Sequence, residues 1–347
     1  MLKKLGIVGH FAEGKDFFDG QTIKIRTLYH TMCDQLSTVD ILTLDTYGGM
    51  KSLPKLVIKT FSLFKNSKNI IMLPAQNGLK LFAPLFYACN LFFQRKLHYS
   101  VIGGWLPEFV EAHTFIDKIL KKFDGIYVET NAMKNALESR GYTNIYIVPN
   151  FKNIDILKPE ELITNHAKPF SFCTFSRVMK EKGIEEAIQA IKNINNKKGE
   201  NICSLDVYGK IDDGYLENFK ALEKDFPDYV RYRGCIDANA SVNVLKNYYA
   251  LLFPTYYEGE GFAGTLIDAF SSGIPVIASD WRYNSEFVTH GYDGLVVTPK
   301  DVTSLSDAIE WLIENQHDYH VIKLNTLQTA SRYSSSEAIQ IILNNLS

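Results

Sequence analysis

The chain has no cysteines at metal-ligand spacing, no Asp-x-Asp pair, no internal repeat and no low-complexity segment. Each absence narrows the reading. The five cysteines, Cys33, Cys89, Cys173, Cys203 and Cys235, are odd in number and scattered, so they read as small apolar residues of a reduced, cytoplasmic protein. Without an Asp-x-Asp pair or a His, Cys and carboxylate cluster, no bound metal is expected. No run is apolar enough to cross a bilayer: the richest, Leu79 to Phe93, carries Lys80, Pro84 and Asn90 and falls short of the roughly 20 residues a span needs. It reads as a buried or interfacial helix. The opening Met-Leu-Lys-Lys-Leu-Gly-Ile-Val reaches Gly9-His10 after too few apolar residues for a signal peptide, and reads as a first strand. No basic motif is interleaved with aromatics, so nucleic acid is not an expected partner.

What is present suits a globular chain of two domains. Its 347 residues are 46% hydrophobic and 22% charged, and domains run to roughly 100–200 residues. The net charge of −2 hides an asymmetry. Residues 1–152 hold 19 Lys and Arg against 12 Asp and Glu, a balance of +7; the remainder balances at −9. A basic first half points to something anionic.

Short apolar runs alternate with helical patterns, as in parallel sheets covered on both faces. The first series of strands is Leu5–Val8, Val39–Leu44, Ile70–Leu73, Tyr99–Ile102, Gly125–Val128 and Ile145–Val148. A linker rich in Asn and Pro, Pro149–Pro169, interrupts it. The second series is Phe170–Phe175, Ser204–Tyr208, Val230–Arg233, Ala250–Phe253, Pro275–Ala278 and Gly294–Val297. The fold class is therefore α/β, with two doubly wound, Rossmann-like domains at 1–152 and 153–331. A C-terminal helix at about 332–347 is expected to pack back on the first. Ligands of such sheets bind beyond the carboxyl ends of the strands, and the cleft between two facing domains is the expected site.

Two segments carry chemistry. In the first, strand 250–253 runs into Tyr256-Tyr-Glu-Gly-Glu260-Gly-Phe-Ala-Gly264 and then a helix over about 262–271. Glycines at 259, 261 and 264 allow close backbone approach to a ligand. Amides at the helix start can hold an anion. Glu260 is suited to accept bonds from hydroxyls, and Asp268, two turns along, to hold a ribose. In the second, Arg177 and Lys182 lie on the strand-to-helix loop Phe175-Ser-Arg-Val-Met-Lys-Glu-Lys-Gly183, where two cations suit a diphosphate. The bland alternatives are a capped helix with a glycine-rich lead-in and solvated surface charge.

Together the segments resemble the retaining glycosyltransferases of family 4, which have the GT-B fold. Arg177 to Lys182-Gly183 matches the family's Arg, four residues, Lys-Gly; Glu260-Gly-Phe-Ala-Gly followed by Asp268 matches its two glutamates seven residues apart. Ala269, Gly273-Ile-Pro-Val, Glu286 and Gly291-Tyr-Asp-Gly-Leu-Val-Val continue the likeness over about 170–315. Two departures stand out: Asp268 replaces a glutamate, and Gly103-Gly-Trp-Leu-Pro107 lacks the histidine many members place there. His10 and His113 read as structural.

The resemblance implies a metal-independent hexosyltransferase of bacterial surface polysaccharide synthesis (capsule or O-antigen). The donor is a nucleotide sugar, by family habit UDP-linked, and the acceptor a glycan or lipid-linked oligosaccharide. Arg177 and Lys182 would clamp the diphosphate and Asp268 the ribose. Glu260, Gly261, Phe262, Ala263 and Gly264 would orient the sugar. Gly20 and Gln21, at the start of the first helix, would approach the phosphates from the opposite domain. No cofactor is implied. The alternatives are a GT-B sugar-nucleotide epimerase and a non-catalytic sugar-nucleotide-binding protein. Finally, the helix near 53–66 gathers Lys51, Lys55, Lys59 and Lys65 within about a third of its circumference, opposite Leu53, Leu56, Leu63 and Phe64. Such a helix suits an anionic membrane surface and a peripheral place on the inner face of the cell membrane.

Overall fold

The computed structural model describes residues 3–14, 20–36, 40–47, 53–153 and 155–346. The chain divides into two compact units, residues 1–153 with 334–347, and residues 154–333.

The first unit runs β1 (Lys3–Gly9), α1 (Gly20–Gln35), β2 (Ile41–Asp45), α2 (Leu53–Asn66), β3 (Ser67–Met72), α3 (Gln76–Phe93), β4 (Lys96–Ser100), α4 (Leu106–Ala112), α5 (Thr114–Leu120), β5 (Gly125–Val128), α6 (Asn131–Glu138) and β6 (Ile145–Ile147). Its strands form a parallel sheet in the order β2-β1-β3-β4-β5-β6. The second unit runs β7 (Phe170–Phe175), α7 (Ile184–Lys198), β8 (Cys203–Tyr208), α8 (Leu216–Lys224), β9 (Val230–Gly234), α9 (Ser241–Leu245), β10 (Ala250–Phe253), α10 (Gly264–Ser271), β11 (Val276–Ser279), α11 (Asn284–Phe287), β12 (Gly294–Val297), α12 (Val302–Glu314) and α13 (Gln316–Ser331). Its sheet, also parallel, has the order β12-β11-β10-β7-β8-β9. The last helix, α14 (Ser335–Asn345), returns to the first unit and adds Ala338, Ile339 and Ile342 to its core.

The strands are the expected ones with shifted ends. The starts shift most in β3 and β4, which begin at Ser67 and Lys96 instead of Ile70 and Tyr99, because the polar residues Ser67, Asn69 and His98 are interior. The His98 ring stacks on Tyr127 and takes part in a 3.1 Å hydrogen bond with its hydroxyl; burial lowers its pKa to about 4, so the ring stays neutral. A polar residue in a strand hides the apolar run that would announce it. Val39, expected to open the second strand, lies outside the described residues.

Strands buried on both faces read as unbroken apolar runs: β10 is Ala-Leu-Leu-Phe and wholly buried. Helices bury one stripe instead. In α7 that stripe is Ile184, Ala187, Ile188, Ile191 and Ile194, and the helix stops at Gly199, whose φ of 69° places it in the left-handed region glycine tolerates.

Both sheets have a switch point, where connections leave in opposite directions and the loops diverge to open a crevice. In the first it lies between β1 and β3; in the second, between β7 and β10. The loop after β7 carries Arg177 and Lys182, and the loop after β10 carries Glu260. The topology thus brings together two segments about eighty residues apart in the chain.

Candidate active site at the switch point of the second sheet

Lys182 ends a short 3-10 turn, Lys180–Lys182, and is followed by Gly183 at φ 73°. A side chain on Gly183 would overlap the Pro254 carbonyl, so only glycine lets the β7 loop lie against the β10 loop. The Tyr256 amide donates to the Glu181 carbonyl at 2.7 Å and ties the same two loops. The Lys182 ammonium then reaches Glu260 Oε2 at 2.5 Å, with the two side chains 11% and 7% exposed. It also lies 5.6 Å from the Phe253 ring centre and 5.2 Å from that of Tyr257, positions in which the ring faces favour a cation. Thr255 Oγ1 lies 2.8 Å from Glu260 Oε2. Behind it, Ser279 Oγ donates to the Thr255 carbonyl, and Trp281 Nε1 donates to the Tyr257 carbonyl at 2.9 Å. Loops from β7, β10 and β11 thus converge on one ammonium–carboxylate pair.

Arg177 is more open, with its side chain 54% exposed and Nη1 3.5 Å from Asp212 Oδ2. Asp212 is brought there by backbone bonds: the Val178 amide donates to the Lys210 carbonyl and the Asp212 amide to the Val178 carbonyl, each at 2.9 Å. An exposed pair at that length contributes little and is easily exchanged for a better anion.

Glu260 lies in the loop, because α10 begins at Gly264 and not at about 262; Ala263, at ψ 126°, is the extended residue before the first turn. Glu260 and Asp268 therefore do not share a helix face. The Asp268 carboxylate is 1% exposed and accepts from Ser241 Oγ at 2.9 Å, a bond that ties α9 to α10. Gly261 and Phe262 are buried, Ala263 and Gly264 half-buried. Phe262 stacks on Phe287 with ring centres 3.7 Å apart, and Tyr333 meets it edge-on at 4.5 Å. Its side chain therefore packs against these two rings.

In the first unit, Gly20 is the exposed first residue of α1, and Gln21 Nε2 lies 3.5 Å from the Leu73 carbonyl after β3. Arg26 fastens the β1 loop by donating to the Phe11 and Ala12 carbonyls at 2.9 and 2.8 Å. His10 bonds Thr22 Oγ1 at 3.0 Å; His113 stacks on Phe109 and bonds its carbonyl at 2.8 Å. Sequence reasoning missed two things here. One is Asp212 as the partner of Arg177, which nothing in the sequence marks. The other is a buried ion pair, Lys24 Nζ to Glu129 Oε1 at 2.5 Å, which only the flanking Ile23 and Ile25 hinted at.

Two Rossmann-like parallel-sheet units in one chain are the GT-B architecture. Anabaena HepE, solved in complex with UDP and glucose, matches with a TM-score of 0.75 over 99% of each chain at 16% identity. Residues 160–329 match the family described as "Glycosyl transferases group 1", and the chain belongs to that family. It is 30% identical over 181 residues to the GtfA subunit of the UDP-N-acetylglucosamine–peptide N-acetylglucosaminyltransferase of Streptococcus gordonii, covering 51% of this chain and 34% of that one. It is 29% identical over 170 residues to the capsular polysaccharide biosynthesis glycosyltransferase CapM of Staphylococcus aureus, covering 47% and 42%. The chain thus spans less than half the length of these two curated relatives.

Proposed function

We propose that this protein is a retaining hexosyltransferase that takes its sugar from a nucleotide donor, UDP-linked, and works without a metal ion. The observation that carries the reading is the Lys182–Glu260 pair, held at 2.5 Å across the switch point of the second sheet. An ammonium has three donors, so Lys182 can hold Glu260 and a phosphate oxygen together. Arg177 can leave Asp212 for a bidentate grip on the diphosphate. The two cations stabilise the charge that grows on the leaving phosphate as the sugar–phosphate bond breaks. That phosphate takes the proton of the acceptor hydroxyl, whose oxygen bonds the anomeric carbon on the face just vacated. Glu260 and the backbone of Gly261, Phe262, Ala263 and Gly264 orient the sugar, and Asp268 sets the ribose side of the pocket. Gly20 and Gln21 are the donor residues proposed for the first unit. The named relatives, with UDP-N-acetylglucosamine and capsular polysaccharide in their descriptions, support a UDP-sugar donor and a role in surface polysaccharide assembly; the acceptor proposed with them is a glycan or lipid-linked oligosaccharide at the inner face of the membrane.

The test is a thermal shift of the purified protein against nucleoside diphosphates and their sugars with EDTA present, followed by turnover with the stabilising donor. UDP and one or more UDP-sugars should raise the melting temperature by mass action, and Lys182→Ala should abolish the shift. Stabilisation only when a divalent ion is supplied would overturn the metal-free reading. Conversion of the sugar nucleotide with no acceptor would favour an epimerase, and binding with no turnover would favour a non-catalytic binder.

A further inference from the structure

The outward face of α2 and α3 is apolar where water would normally demand polarity. One side of α3 buries Leu79, Phe82, Phe86 and Cys89 in the first unit. The opposite stripe of a water-bathed helix should carry charge. Here it runs Leu81, Leu85, Ala88, Leu91, Phe92, with Leu91 64% and Phe92 82% exposed. The neighbouring α2 extends the patch: the Phe61 ring meets Phe93 edge-on at 5.2 Å, and Ile58 and Phe61 are 72% and 52% exposed. The spacing of the lysines predicts a basic outer face on α2 with the leucines turned inward. Leu56, Leu63 and Phe64 are indeed buried, but exposed apolar residues share the outer face with Lys59 and Lys65. Lys51 and the side chain of Lys55 lie outside the described residues.

Charge says what covers the patch. Between Asp45 and Glu108 the chain holds eight Lys and Arg and not one Asp or Glu. Lys59, Lys65, Lys80 and Lys96 are exposed. A second copy docking through this same face would set lysines against lysines with no acid between them, which disfavours a symmetric dimer. An anionic bilayer satisfies both features, because its headgroups take the lysines and its acyl boundary the apolar side chains. No helix among the described residues is long and apolar enough to cross a membrane, so α3 would lie along the surface.

We propose that the α2–α3 face docks the protein on an anionic phospholipid bilayer, with Ile58, Phe61, Leu91 and Phe92 set into the headgroup region. The inference rests on the membrane-side reading of the acceptor, and its test leaves the donor chemistry aside. Purified protein is sedimented with vesicles of phosphatidylcholine alone or mixed with phosphatidylglycerol, at low and high salt. The protein should pellet with the anionic vesicles and stay in solution with the neutral ones. The pair Ile58→Ser with Phe92→Ser, both outside the packed core, should weaken vesicle binding at least about tenfold. The pair Lys59→Glu with Lys65→Glu should weaken it by a similar factor at low salt and much less at high salt. Both variants should keep the nucleotide thermal shift of the parent, which separates failure of the surface from failure of the donor site. Wild-type protein left in solution with both vesicles would overturn the proposal, as would unchanged binding by the Ile58, Phe92 variant. So would a concentration-dependent dimer that this variant loses, since a second copy would then cover the face.

Discussion

Lys24 meets Glu129 in the first unit at 2.5 Å, and Lys182 meets Glu260 in the second at the same distance. The two pairs look alike and are set differently. Lys24 and Glu129 are each 2% exposed, and the ammonium also donates to the Val101 carbonyl at 3.2 Å, so backbone and carboxylate share it inside a sealed core. Lys182 and Glu260 are 11% and 7% exposed, on glycine-rich loops at the switch point of their sheet. A sealed pair can only hold the fold, whereas a pair with an open side can meet a ligand. Removing one partner of a buried pair strands a charge, while replacing both with apolar residues is often neutral. Single and double substitutions therefore tell the two settings apart.

The largest effect is expected in the first unit. Lys24→Met should destabilise the protein by about 3–5 kcal/mol in urea denaturation, because Glu129 keeps its charge without its cation. Adding Glu129→Leu should restore most of that loss. If the double variant is no more stable than the single one, the loss does not come from breaking this ion pair.

In the second unit the loss should fall on turnover. Lys182→Met is expected to lower kcat with the stabilising donor by about 10²–10³-fold, the range for removing one charge-stabilising donor. Adding Glu260→Leu should leave turnover at the floor, in contrast to the rescue at Lys24. Recovery of turnover in the double variant would mean that the Lys182–Glu260 pair serves the fold alone.

The same contrast explains how much the sequence discloses. The βαβ rhythm announced both sheets, because strands such as β10 are unbroken apolar runs and helices such as α7 keep a strict apolar stripe. The placement of Arg177, Lys182 and Glu260 in the loops after β7 and β10 was legible because glycine and charge crowd into short segments that follow apolar strands. The Lys24–Glu129 pair joins residues 105 apart and sits among apolar neighbours, and no local pattern encodes such a meeting. The outer face of α2 was only half legible: the helical spacing of the lysines was visible, but which apolar residues stay outside depends on how α3 packs. Asp268 also needed the fold, since its partner Ser241 lies on another helix.

A third buried cation extends the comparison. Lys323 on α13 is 1% exposed, its ammonium has no hydrogen-bond partner among the described residues, and it lies 5.4 Å from the Tyr319 ring centre. Burial lowers its pKa from 10.5 to about 8. His166, which feels the Lys323 charge, is itself held neutral by burial, with a pKa of about 4. Between pH 8 and 10.5 the unfolded chain binds more protons at this site than the folded one, so stability rises with pH across that window and is lost again as pH falls through 8. Each pH step of one across that window is worth about 1.4 kcal/mol, so the full rise should be on the order of 3 kcal/mol. Lys323→Met should make the protein more stable at pH 7 and remove this component of the pH profile. A profile that Lys323→Met leaves unchanged would mean the ammonium finds solvent or a partner.

The smallest effect is the most discriminating for the donor site. Ser241 donates to Asp268 at 2.9 Å, and both residues are 1% exposed. Ser241→Ala removes one hydrogen bond to the carboxylate, worth about 1–3 kcal/mol. If Asp268 is poised for a ribose, part of that loss appears in binding: affinity for UDP falls by up to about tenfold, and affinity for inorganic diphosphate, which has no ribose, stays the same. If Asp268 only fastens α9 to α10, the melting temperature falls while the affinities for both ligands are preserved. Calorimetric titration of wild type and Ser241→Ala with each ligand separates the outcomes. Equal weakening toward UDP and diphosphate would place the effect on the phosphate cradle formed by Arg177 and Lys182, and would remove the ribose role from Asp268.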